Sequence, residues 1–546
     1  MERRAVERVR GTQDLAPDDA WHLDAVRRRF EETFVTFGYR RVDVPALEPA
    51  ELHLRKSGLE IISKLYAFDD QGGRRLCLRP ELTASVVRAY IGQPAPRFPV
   101  KVFSSGLVFR YERPSKGRHR QFTQSGVELF GAAGPLADAE IVFLAMDALD
   151  RLGLADYRVT IGHVGILGEL LTKLGLTGRL RTQLLESVEE TRRHGLAAVR
   201  SRLRELDPDL FEPPGQGELE HTLPAAATGD DQDPQDGVRA SLTGLLAQMG
   251  AERLGRRSEA EIVERLLRKL RPQSQRDAIE RALEFMERLG RIQGAPDEVL
   301  EAGRELLGAF GLDADPLHSL EQTVRLLAAC GADFQRVRLD LGLSRGLQYY
   351  TGMVFEIDHA GLGAESQLCG GGRYDELFRA LGSRQSVAAL GFAFGVERVK
   401  LALEAERRLE SPPAAADVFV IPDAPEHAGY AARVAAALRR AGRRADLDVT
   451  GRPLRASLTY ADREGYAQVA VIGAAEASDE RVRLRDMADG RERSVPLGEL
   501  TRNGPGAGGR VPPSEAQPTH VSAPRGTERP VGDGQASDPS EAGRGR

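Results

Sequence analysis

The chain has 546 residues and a mass of 59.6 kDa, which is too long for one compact core and predicts about three domains at roughly 150 residues each. Hydrophobic residues make up 41% and charged residues 29% of the sequence, and no apolar run approaches the ~20 residues of a membrane span, so no membrane protein is expected. The net charge of −5 gives no global attraction to a polyanion, so a nucleic acid would have to bind at a local basic patch.

The N-terminus and the cysteines favour a cytoplasmic protein. The segment MERRAVERVRGTQD is basic, but no apolar run follows it, so it does not resemble a secretory signal. The cysteines Cys77, Cys330 and Cys369 are far apart and odd in number, which argues against a disulfide framework and a CxxC zinc site. Histidines such as His119 and His163 lack metal-ligand spacing, so we predict no metal site formed by protein side chains.

The N-terminal part of the chain mixes helices with short strands. An amphipathic helix is predicted for residues 18–36, where Trp21, Val26, Phe30 and Phe34 recur at helical spacing. Strand candidates follow, separated by turns: FGYRRVDVPALEP, KLYAFDD, RRLCLRPE and VKVFSSGLVFRYE. This mixture predicts an α+β fold with a mostly antiparallel sheet.

Long amphipathic helices dominate residues 156–334, and we predict a disordered loop within them at residues 207–237, where EPPGQGE and TGDDQDPQDG cannot bury enough apolar surface. Strand character returns at RVRLDLGLSRGLQYYTGMVFEIDHA and continues into the glycine-rich ALGFAFG, which leads into a helix. Along such a strand Tyr349 and Tyr350 would point to opposite faces, so only one of them could enter a pocket.

The C-terminal part alternates strands and helices after a linker at residues 411–416. This pattern predicts a separate α/β domain at residues 417–502, with a mixed sheet covered by helices. Residues 503–546 are rich in Gly, Pro and Ser, so we predict a disordered tail.

Most of the predicted chemistry lies in residues 109–131, FRYERPSKGRHRQFTQSGVELFG, where positive side chains cluster between two apolar stretches. One interpretation is a solvated basic loop that joins two strands. The other is a nucleotide site, because strand spacing places Phe122, Gln124 and Glu128 on one face. An arginine there can clamp a phosphate while an aromatic ring stacks on a base.

Two further segments carry polar side chains beside apolar runs. In LRPELTAS, Glu81 and Thr83 share one face of an extended segment, although Pro followed by Glu also suits the first turn of a helix, and both can hold. Arg398 stands at a helix start behind Gly391 and Gly395, which let backbones approach closely. It is therefore either a surface residue or one that points into a cleft.

Six segments, in chain order, resemble histidyl-tRNA synthetase, a class II aminoacyl-tRNA synthetase: RGTQDLAPDD, LRPELTAS, FRYERPSKGRHRQFTQSGVELFG, RGLQYYTG, GGGRYDEL and GFAFGVERV. The resemblance covers roughly residues 8–150 and 335–500. It implies a class II catalytic core at 1–155 and 335–408, a helical insertion at 156–334 and an anticodon-binding domain at 417–502. The implied activity is ligation of L-histidine to tRNA(His) through a histidyl-adenylate, with ATP as substrate and Mg²⁺ as cofactor. A homodimer with Pro45 at its interface strand is also implied.

The resemblance also implies individual residue roles. For ATP, Arg110 would grip the α-phosphate and Arg398 the γ-phosphate, with Glu112 and Phe122 on the adenine side. Histidine would be bound by Glu81, Thr83, Gln124, Glu128, Tyr350 and Tyr374. The catalytic side chains would be Arg110 and Arg345, beside the reacting carboxylate and α-phosphate.

Some features depart from the family pattern. Gln348 stands where the family usually has Asp, Leu82 where it commonly has Gly, and the segment YRVTIGHVGILGELLTKLG resembles a paralogue, the regulatory subunit of ATP phosphoribosyltransferase. An alternative is therefore a regulatory subunit that binds histidine without charging tRNA. The synthetase is favoured because this chain keeps Arg110, Arg345, Arg398 and the C-terminal domain, which that paralogue typically lacks.

Two short basic patches are candidate tRNA contacts, RRAGRR at residues 439–444 and KGRHR at residues 116–120. Such patches are often only solvated faces. In an anticodon-type domain and a class II core they favour contacts to tRNA phosphates.

Overall fold

The computed structural model describes residues 6–55, 62–93, 96–206, 276–343, 349–412 and 416–502. It divides into two compact units, residues 1–412 and residues 413–546. The predicted disordered loop and tail lie outside the described residues, as do Arg345 and Gln348.

The first unit is built on a nine-stranded sheet. In spatial order its strands are Arg40–Arg41, Val100–Phe109, Gln121–Phe130, Ala389–Gly395, Gln367–Arg373, Met353–Asp358, Arg158–His163, Val337–Asp340 and Gln293–Gly294. All neighbouring pairs are antiparallel except the first, and except Arg158–His163 with Val337–Asp340. The predicted α+β fold with a mostly antiparallel sheet is confirmed.

Helices pack against this sheet. The described α-helices of the first unit are Pro17–Thr36, Ala50–Leu54, Thr83–Ile91, Pro135–Arg151, Gly165–Lys173, Gly178–Glu186, Val188–Leu206, residues 276–289, Pro296–Phe310, Asp315–Ala329, Leu377–Ala380 and Val396–Ala405, with a 3-10 helix at Ala360–Glu365. The helix predicted at residues 18–36 is confirmed. Its Phe30 stacks on Phe394 of the sheet, with ring centroids 4.2 Å apart.

The pleat of the sheet separates an apolar face from a polar one. Along the strand Gln121–Phe130, Val127 and Leu129 join the hydrophobic core beneath the long N-terminal helix. Because successive side chains of a strand point to opposite faces, Gln124 and Glu128 project away from that core. The core therefore fixes the strand that carries several candidate site residues.

The predicted helical insertion begins differently from the expectation. Within residues 156–334, the strand Arg158–His163 pairs with Met353–Asp358 and with Val337–Asp340 of the central sheet. Its Val159 and Ile161 alternate into the hydrophobic core, which stabilises a strand at this position. The first helix of this range starts at Gly165.

A small antiparallel sheet stands apart from the central one, with the strand order Leu47–Pro49, Arg75–Leu78 and Tyr66–Asp69. One face carries the buried Glu48 and Cys77. On the other face Leu47 is 52% exposed and Phe68 41% exposed. The sheet therefore turns large apolar side chains toward solvent.

The second unit contains a five-stranded sheet in the order Ala445–Leu447, Val418–Pro422, Gln468–Ile472, Arg481–Asp486 and Glu492–Pro496. The first three strands are parallel and the last two antiparallel. Its helices are Ala428–Arg440, Leu454–Arg463, Ala474–Asp479 and Leu497–Arg502, with a 3-10 helix at Pro425–His427. Hydrophobic clusters cover both faces of this sheet, so the predicted mixed sheet with helices is confirmed. In the part of the chain that is described, no helix has the length and apolar character to cross a bilayer.

Candidate active site

The strand Gln121–Phe130 organises the candidate site. It forms a hairpin with Val100–Phe109, as predicted, and residues 110–120 connect the two strands. We call the end at Phe122 the loop end and the end at Glu128 the carboxylate end. The two ends carry opposite charges.

At the loop end an arginine lies over an aromatic ring. The Arg110 Cζ atom is 5.3 Å from the centroid of the Phe122 ring, within the range of a cation–π contact. Its Nε donates to the carbonyl oxygen of Pro80 at 2.9 Å. Arg110 is thus tied to the segment that leads to Glu81.

Glu112 lies among cations at the same end. Lys64 Nζ lies 3.4 Å from Glu112 Oε1, and Arg118 Nε donates to the other carboxylate oxygen. Burial raises the pKa of Glu112, but Lys64, Arg118 and Arg110 outweigh burial and hold the pKa below its usual value. Lys64 is far away in sequence, so no local pattern predicts its contact with Glu112.

Arg398 points toward the hairpin loop, which favours the cleft interpretation over the surface one. It lies in the first turn of the helix Val396–Ala405. Its Nε donates to Gly117 O at 3.1 Å and its Nη1 to Gln367 O at 2.9 Å. The neighbouring Glu397 accepts the Thr123 N–H at 2.8 Å, which fixes this helix to the strand of the hairpin.

At the carboxylate end, two hydroxyl groups donate to Glu128. Thr83 Oγ1 lies 2.6 Å from Glu128 Oε1, and the Tyr374 hydroxyl donates to Oε2. Gly391 is the cross-strand partner of Glu128, and a Cβ atom there would lie 2.1 Å from Glu128 Oε2. Only glycine leaves room for this carboxylate, which explains one of the glycines in GFAFG.

Glu81 is the second buried carboxylate of this pocket. Burial raises the pKa of Glu128 well above its usual value, the Thr83 hydrogen bond opposes this, and the charge of Glu81 adds to it. Burial also raises the pKa of Glu81, against the Ala84 N–H and the charge of Arg110. Two such carboxylates favour a ligand that brings positive charge and N–H donors.

The helix-start interpretation of LRPELTAS is confirmed, whereas the segment is not extended between Glu81 and Thr83, because Leu82 has right-handed helical dihedral angles. The helix Thr83–Ile91 starts there, and Glu81 Oε1 accepts the Ala84 N–H at 3.0 Å. The buried Leu82 stands at the N-cap of this helix. Sequence reasoning missed His53, whose Nδ1 lies 3.7 Å from Glu81 Oε1 and whose pKa burial lowers to about 4.

Gln124 lies between the two ends on the same strand, opposite Gly106. Its side chain is buried, and its Oε1 has no hydrogen-bond partner among the described residues. A buried acceptor without a partner costs free energy until a donor reaches it. Gln124 is therefore suited to accept from a ligand.

The prediction that Tyr349 and Tyr350 point to opposite faces of a strand is wrong. The strand begins only at Met353, and both tyrosines lie in the turn before it. Their ring centroids are 4.9 Å apart, and both rings contact Tyr374, at 5.5 and 6.4 Å. The buried Tyr349 therefore belongs to the same aromatic wall beside Glu128.

A buried ion pair holds the segment around Tyr374. Arg373 Nη2 lies 2.8 Å from Asp138 Oδ1, and Nη1 donates to Ala132 O at 3.1 Å. The Arg373 carbonyl accepts the Thr351 N–H at 2.8 Å. Arg373 thus joins the tyrosine turn to the start of the helix Pro135–Arg151, which the sequence pattern did not predict.

The predicted residues fall into two groups. Arg110, Glu112, Phe122 and Arg398 surround the hairpin loop, whereas Glu81, Thr83, Glu128, Tyr350 and Tyr374 surround the carboxylate end. Gln124 lies between them, and Arg345 stays outside the described residues.

Comparison with known proteins identifies the family of the chain. The family model of histidyl-tRNA synthetase matches residues 11–215 and 242–399, and that of the anticodon binding domain matches residues 417–503. A histidine–tRNA ligase of Thermococcus kodakarensis is 33% identical over 90% of this chain and 96% of its own length. One of Methanocaldococcus jannaschii is 30% identical over 91% and 98%.

Solved structures give the same answer for the fold. An apo histidyl-tRNA synthetase of S. aureus superposes with a TM-score of 0.60 at 25% identity, covering 91% of this chain and 99% of that one. A Bacillus halodurans protein, described as an ATP phosphoribosyltransferase regulatory subunit/histidyl-tRNA synthetase, shares the fold at 22% identity and a TM-score of 0.58 over 85% of this chain and 97% of that one. The chain belongs to the histidyl-tRNA synthetase family.

Proposed function

We propose that this chain ligates L-histidine to tRNA(His) through a histidyl-adenylate, with ATP as the second substrate. The observation that carries the proposal is the strand Gln121–Phe130, which has an arginine over an aromatic ring at one end and a buried carboxylate pocket at the other. A nucleotide fits the end with the arginine and the aromatic ring, and an amino acid with a basic side chain fits the carboxylate pocket.

The loop end is the ATP side of the site. Arg110 grips the α-phosphate and Arg398 the γ-phosphate, while Phe122 stacks on the adenine. Their support is the Arg110–Phe122 contact and the orientation of Arg398 toward the hairpin loop. Glu112 orients the adenine side, because Lys64 and Arg118 keep its carboxylate in place.

The carboxylate end is the histidine side. Glu81, Thr83 and Gln124 hold the α-amino group, and Glu128 and Tyr350 read the imidazole. Tyr374 fixes the Glu128 carboxylate by donating to it. An amino acid without ring N–H groups would leave buried acceptors unpaired, at about 1 to 3 kcal/mol for each lost partner.

Adenylation needs charge stabilisation more than proton transfer. The histidine carboxylate is already ionised at neutral pH, so its attack on the α-phosphate requires no protein base. Arg110, with Arg345 by family resemblance, stabilises the negative charge that builds up at phosphorus. Among the described residues no group of three His, Cys, Asp or Glu side chains could hold a metal. Mg²⁺ commonly binds through substrate phosphates, so we expect it to arrive with ATP and assign it no protein ligand.

The small sheet supports a homodimer. Its outward face carries the exposed Leu47, in register with Leu78 and Tyr66, and the exposed Phe68, in register with Leu76. Pro45 lies just before the first strand of this sheet. Contiguous exposed apolar surface commonly marks a protein interface. A second copy of this chain would remove these side chains from water. Sedimentation equilibrium tests the dimer, and Leu47→Asp should shift it toward monomer.

The second unit supports tRNA binding. In its RRAGRR patch Arg444 lies 2.6 Å from Asp417, whereas Arg440 projects from the end of the helix Ala428–Arg440 into solvent. We expect tRNA affinity to fall steeply between low and moderate salt, since phosphate contacts release counterions. A filter-binding titration checks this, and a salt-independent affinity would contradict it. A cytoplasmic location fits this substrate.

ATP–pyrophosphate exchange with L-histidine and Mg²⁺, followed by charging of tRNA(His), tests the proposed function. We expect exchange that depends on histidine and a charged tRNA product. The alternative, a regulatory subunit that binds histidine, has less support because the chain matches histidine–tRNA ligases over nine-tenths of its length and an anticodon binding domain. Absent exchange together with stimulation of an ATP phosphoribosyltransferase would favour that alternative.

A further inference from the structure

Arg79 is a buried arginine just outside the set of predicted site residues. It is only 7% exposed and follows the strand Arg75–Leu78. Its Nε donates to Leu107 O at 2.8 Å, and its Nη1 donates to Val44 O and, at 3.3 Å, to Pro45 O. These guanidinium bonds all go to backbone carbonyl groups of two different segments.

The main chain of Arg79 binds the same two segments. Its N–H donates to Ala46 O at 2.9 Å, and its carbonyl accepts the Phe109 N–H at 3.0 Å. Side chain and main chain together therefore hold this residue against residues 44–46 and against the last residues of the strand Val100–Phe109. Few degrees of freedom remain for the peptide that follows.

That peptide connects both ends of the candidate site. The carbonyl of Pro80, the next residue, accepts from Arg110 Nε at 2.9 Å. The residue after it is Glu81, the buried carboxylate of the histidine pocket. A shift of Arg79 would move the Arg110 guanidinium and the Glu81 carboxylate together.

Gly106 gives the Arg79 side chain its space. A Cβ atom at Gly106 would lie 2.5 Å from Arg79 Nη2, whereas Cβ atoms essentially never lie within 3.0 Å of another heavy atom that is not bonded to them. Gly106 is also the cross-strand partner of Gln124, so the guanidinium lies on the face of the sheet that carries Gln124. A methyl group at this position would displace the guanidinium without removing its charge.

A cation buried in this way is costly for the fold. Burial lowers the pKa of Arg79, and Glu48 and Asp43 oppose this only through longer-range charge. Glu48 itself is paired with Arg88 at 2.8 Å. An apolar side chain would avoid the desolvation cost, so the arginine has to contribute something that an apolar residue could not.

We propose that Arg79 is a positioning residue for the adenylation step. It holds the peptide that aligns Arg110 and Glu81, and it contacts neither substrate itself. The inference rests on the proposed function. It assigns to Arg79 and Gly106 a joint effect on both substrates, which a purely local structural role would not produce.

The test compares Arg79→Gln, Arg79→Lys, Gly106→Ala and the double variant Arg79→Gln/Gly106→Ala in histidine-dependent ATP–pyrophosphate exchange. Arg79→Lys keeps the charge but not the planar fork, so it should fall between wild type and Arg79→Gln. Matched controls are Arg75→Gln, whose exposed side chain pairs only with the exposed Asp69 among described contacts, and Gly92→Ala, whose Cβ would have ordinary contacts. Far-ultraviolet circular dichroism and tRNA affinity report folding.

We expect Arg79→Gln and Gly106→Ala each to lower kcat/KM about 100-fold, which is the scale of a misplaced catalytic constellation. KM should rise for ATP and for histidine alike, while tRNA affinity stays unchanged. The double variant should be no worse than the more impaired of the two single variants, because both changes act through the same guanidinium group: one removes it and the other displaces it. The controls should stay within about twofold of wild type, as surface changes usually do.

The inference would be overturned if Gly106→Ala and Arg79→Lys both showed normal exchange. It would also be overturned if the losses of the two single variants multiplied in the double variant. A wild-type chain without any histidine-dependent exchange would instead refute the proposed function. The two failures are therefore distinguishable in the same assay.

Discussion

The loop end and the carboxylate end of the strand Gln121–Phe130 place charge in opposite environments. At the loop end, Arg110 and Arg398 are only partly buried, and their guanidinium groups donate to backbone carbonyls near the hairpin loop. At the carboxylate end, Glu81 and Glu128 are buried, and burial raises the pKa of each. A single strand, on which Glu128 lies six positions after Phe122, thus connects a partly exposed cationic site with a buried acidic one.

The difference predicts how each end responds to mutation. Partly exposed arginines contribute little to folding, so their removal should impair the reaction and leave the fold stable. Buried carboxylates destabilise the empty protein, and a cationic ligand compensates for that cost. Loss of a carboxylate should therefore weaken ligand binding without weakening the fold.

The largest expected effect is at the loop end. Arg398→Ala or Arg110→Ala should lower the rate of histidine-dependent ATP–pyrophosphate exchange about 1000-fold, the scale of a lost preorganised charge contact in a transition state. Histidine affinity, measured by calorimetry without ATP, should change less than about threefold in Arg398→Ala, since Arg398 donates to Gly117 and Gln367 at the loop end. Arg110→Ala should weaken it somewhat more, because the charge of Arg110 favours the ionised form of Glu81.

Arg113→Ala is the matched control, because Arg113 is an exposed arginine of the same loop. It should leave exchange within about twofold of wild type. Normal exchange in Arg398→Ala would contradict the ATP assignment, and a lost histidine affinity would contradict the separation of the two ends.

The next effect concerns the support of the carboxylate end. Asp138→Asn breaks the buried pair with Arg373 and should lower the free energy of unfolding by up to about 3 kcal/mol, because a buried arginine loses the nearer of its two carboxylate partners and keeps only Asp375, at 3.3 Å. The same helix offers a control in Asp147→Asn, whose partly exposed pair with Arg151 should contribute less than 1 kcal/mol. Urea denaturation compares the two, and equal losses would refute the role of the Arg373–Asp138 pair.

The predictability of the molecule from its sequence also differs between regions. In the second unit, strands and helices follow one another along the chain, so hydrophobic periodicity alone locates Val418–Pro422, Ala428–Arg440 and Gln468–Ile472. The hairpin Val100–Phe109 and Gln121–Phe130 was predictable for the same local reason. The small strands Arg40–Arg41 and Leu47–Pro49 were expected as one strand, because their interruption depends on pairing with separate sheets.

The contacts that define the site were less predictable, because they join distant segments. Family resemblance indicated Glu128 and Tyr374, but the hydrogen bond between them joins residues that are 246 positions apart in the sequence. The Lys64–Glu112 and Arg373–Asp138 pairs could not be predicted from a local pattern either, since their partners are far apart in sequence. The error at Tyr349 and Tyr350 has the opposite cause: alternating residues suggest a strand, whereas the chain turns before Met353.

Glu128→Gln should weaken histidine binding by about 2 kcal/mol, because it replaces a charge-assisted hydrogen bond by a neutral one. Stability should rise or stay level, since the variant buries no charge. The pKa of Glu128 is raised in the folded state, so folding favours the protonated carboxyl. The stability of the empty protein is therefore greatest at low pH, where this carboxyl is protonated, and falls as pH rises through the folded-state pKa. Histidine affinity should do the reverse, and Glu128→Gln should flatten both profiles. A variant with wild-type pH profiles would refute this role of Glu128.

The smallest effect separates the two donors of Glu128. Tyr374→Phe removes one hydroxyl and should weaken histidine binding by about 1 kcal/mol, the ordinary net value of one hydrogen bond. Because the ionised carboxylate loses a donor, the pKa of Glu128 should rise further and the loss of histidine affinity on acidification should begin at higher pH. Tyr90→Phe is the control, since its ring packs on Phe130 in the same part of the fold. Calorimetric titrations at several pH values measure both shifts. If Tyr374→Phe left the pH profile in place while Thr83→Ala moved it, Thr83 alone would set the charge of Glu128 and the tyrosine would serve only as a wall of the pocket.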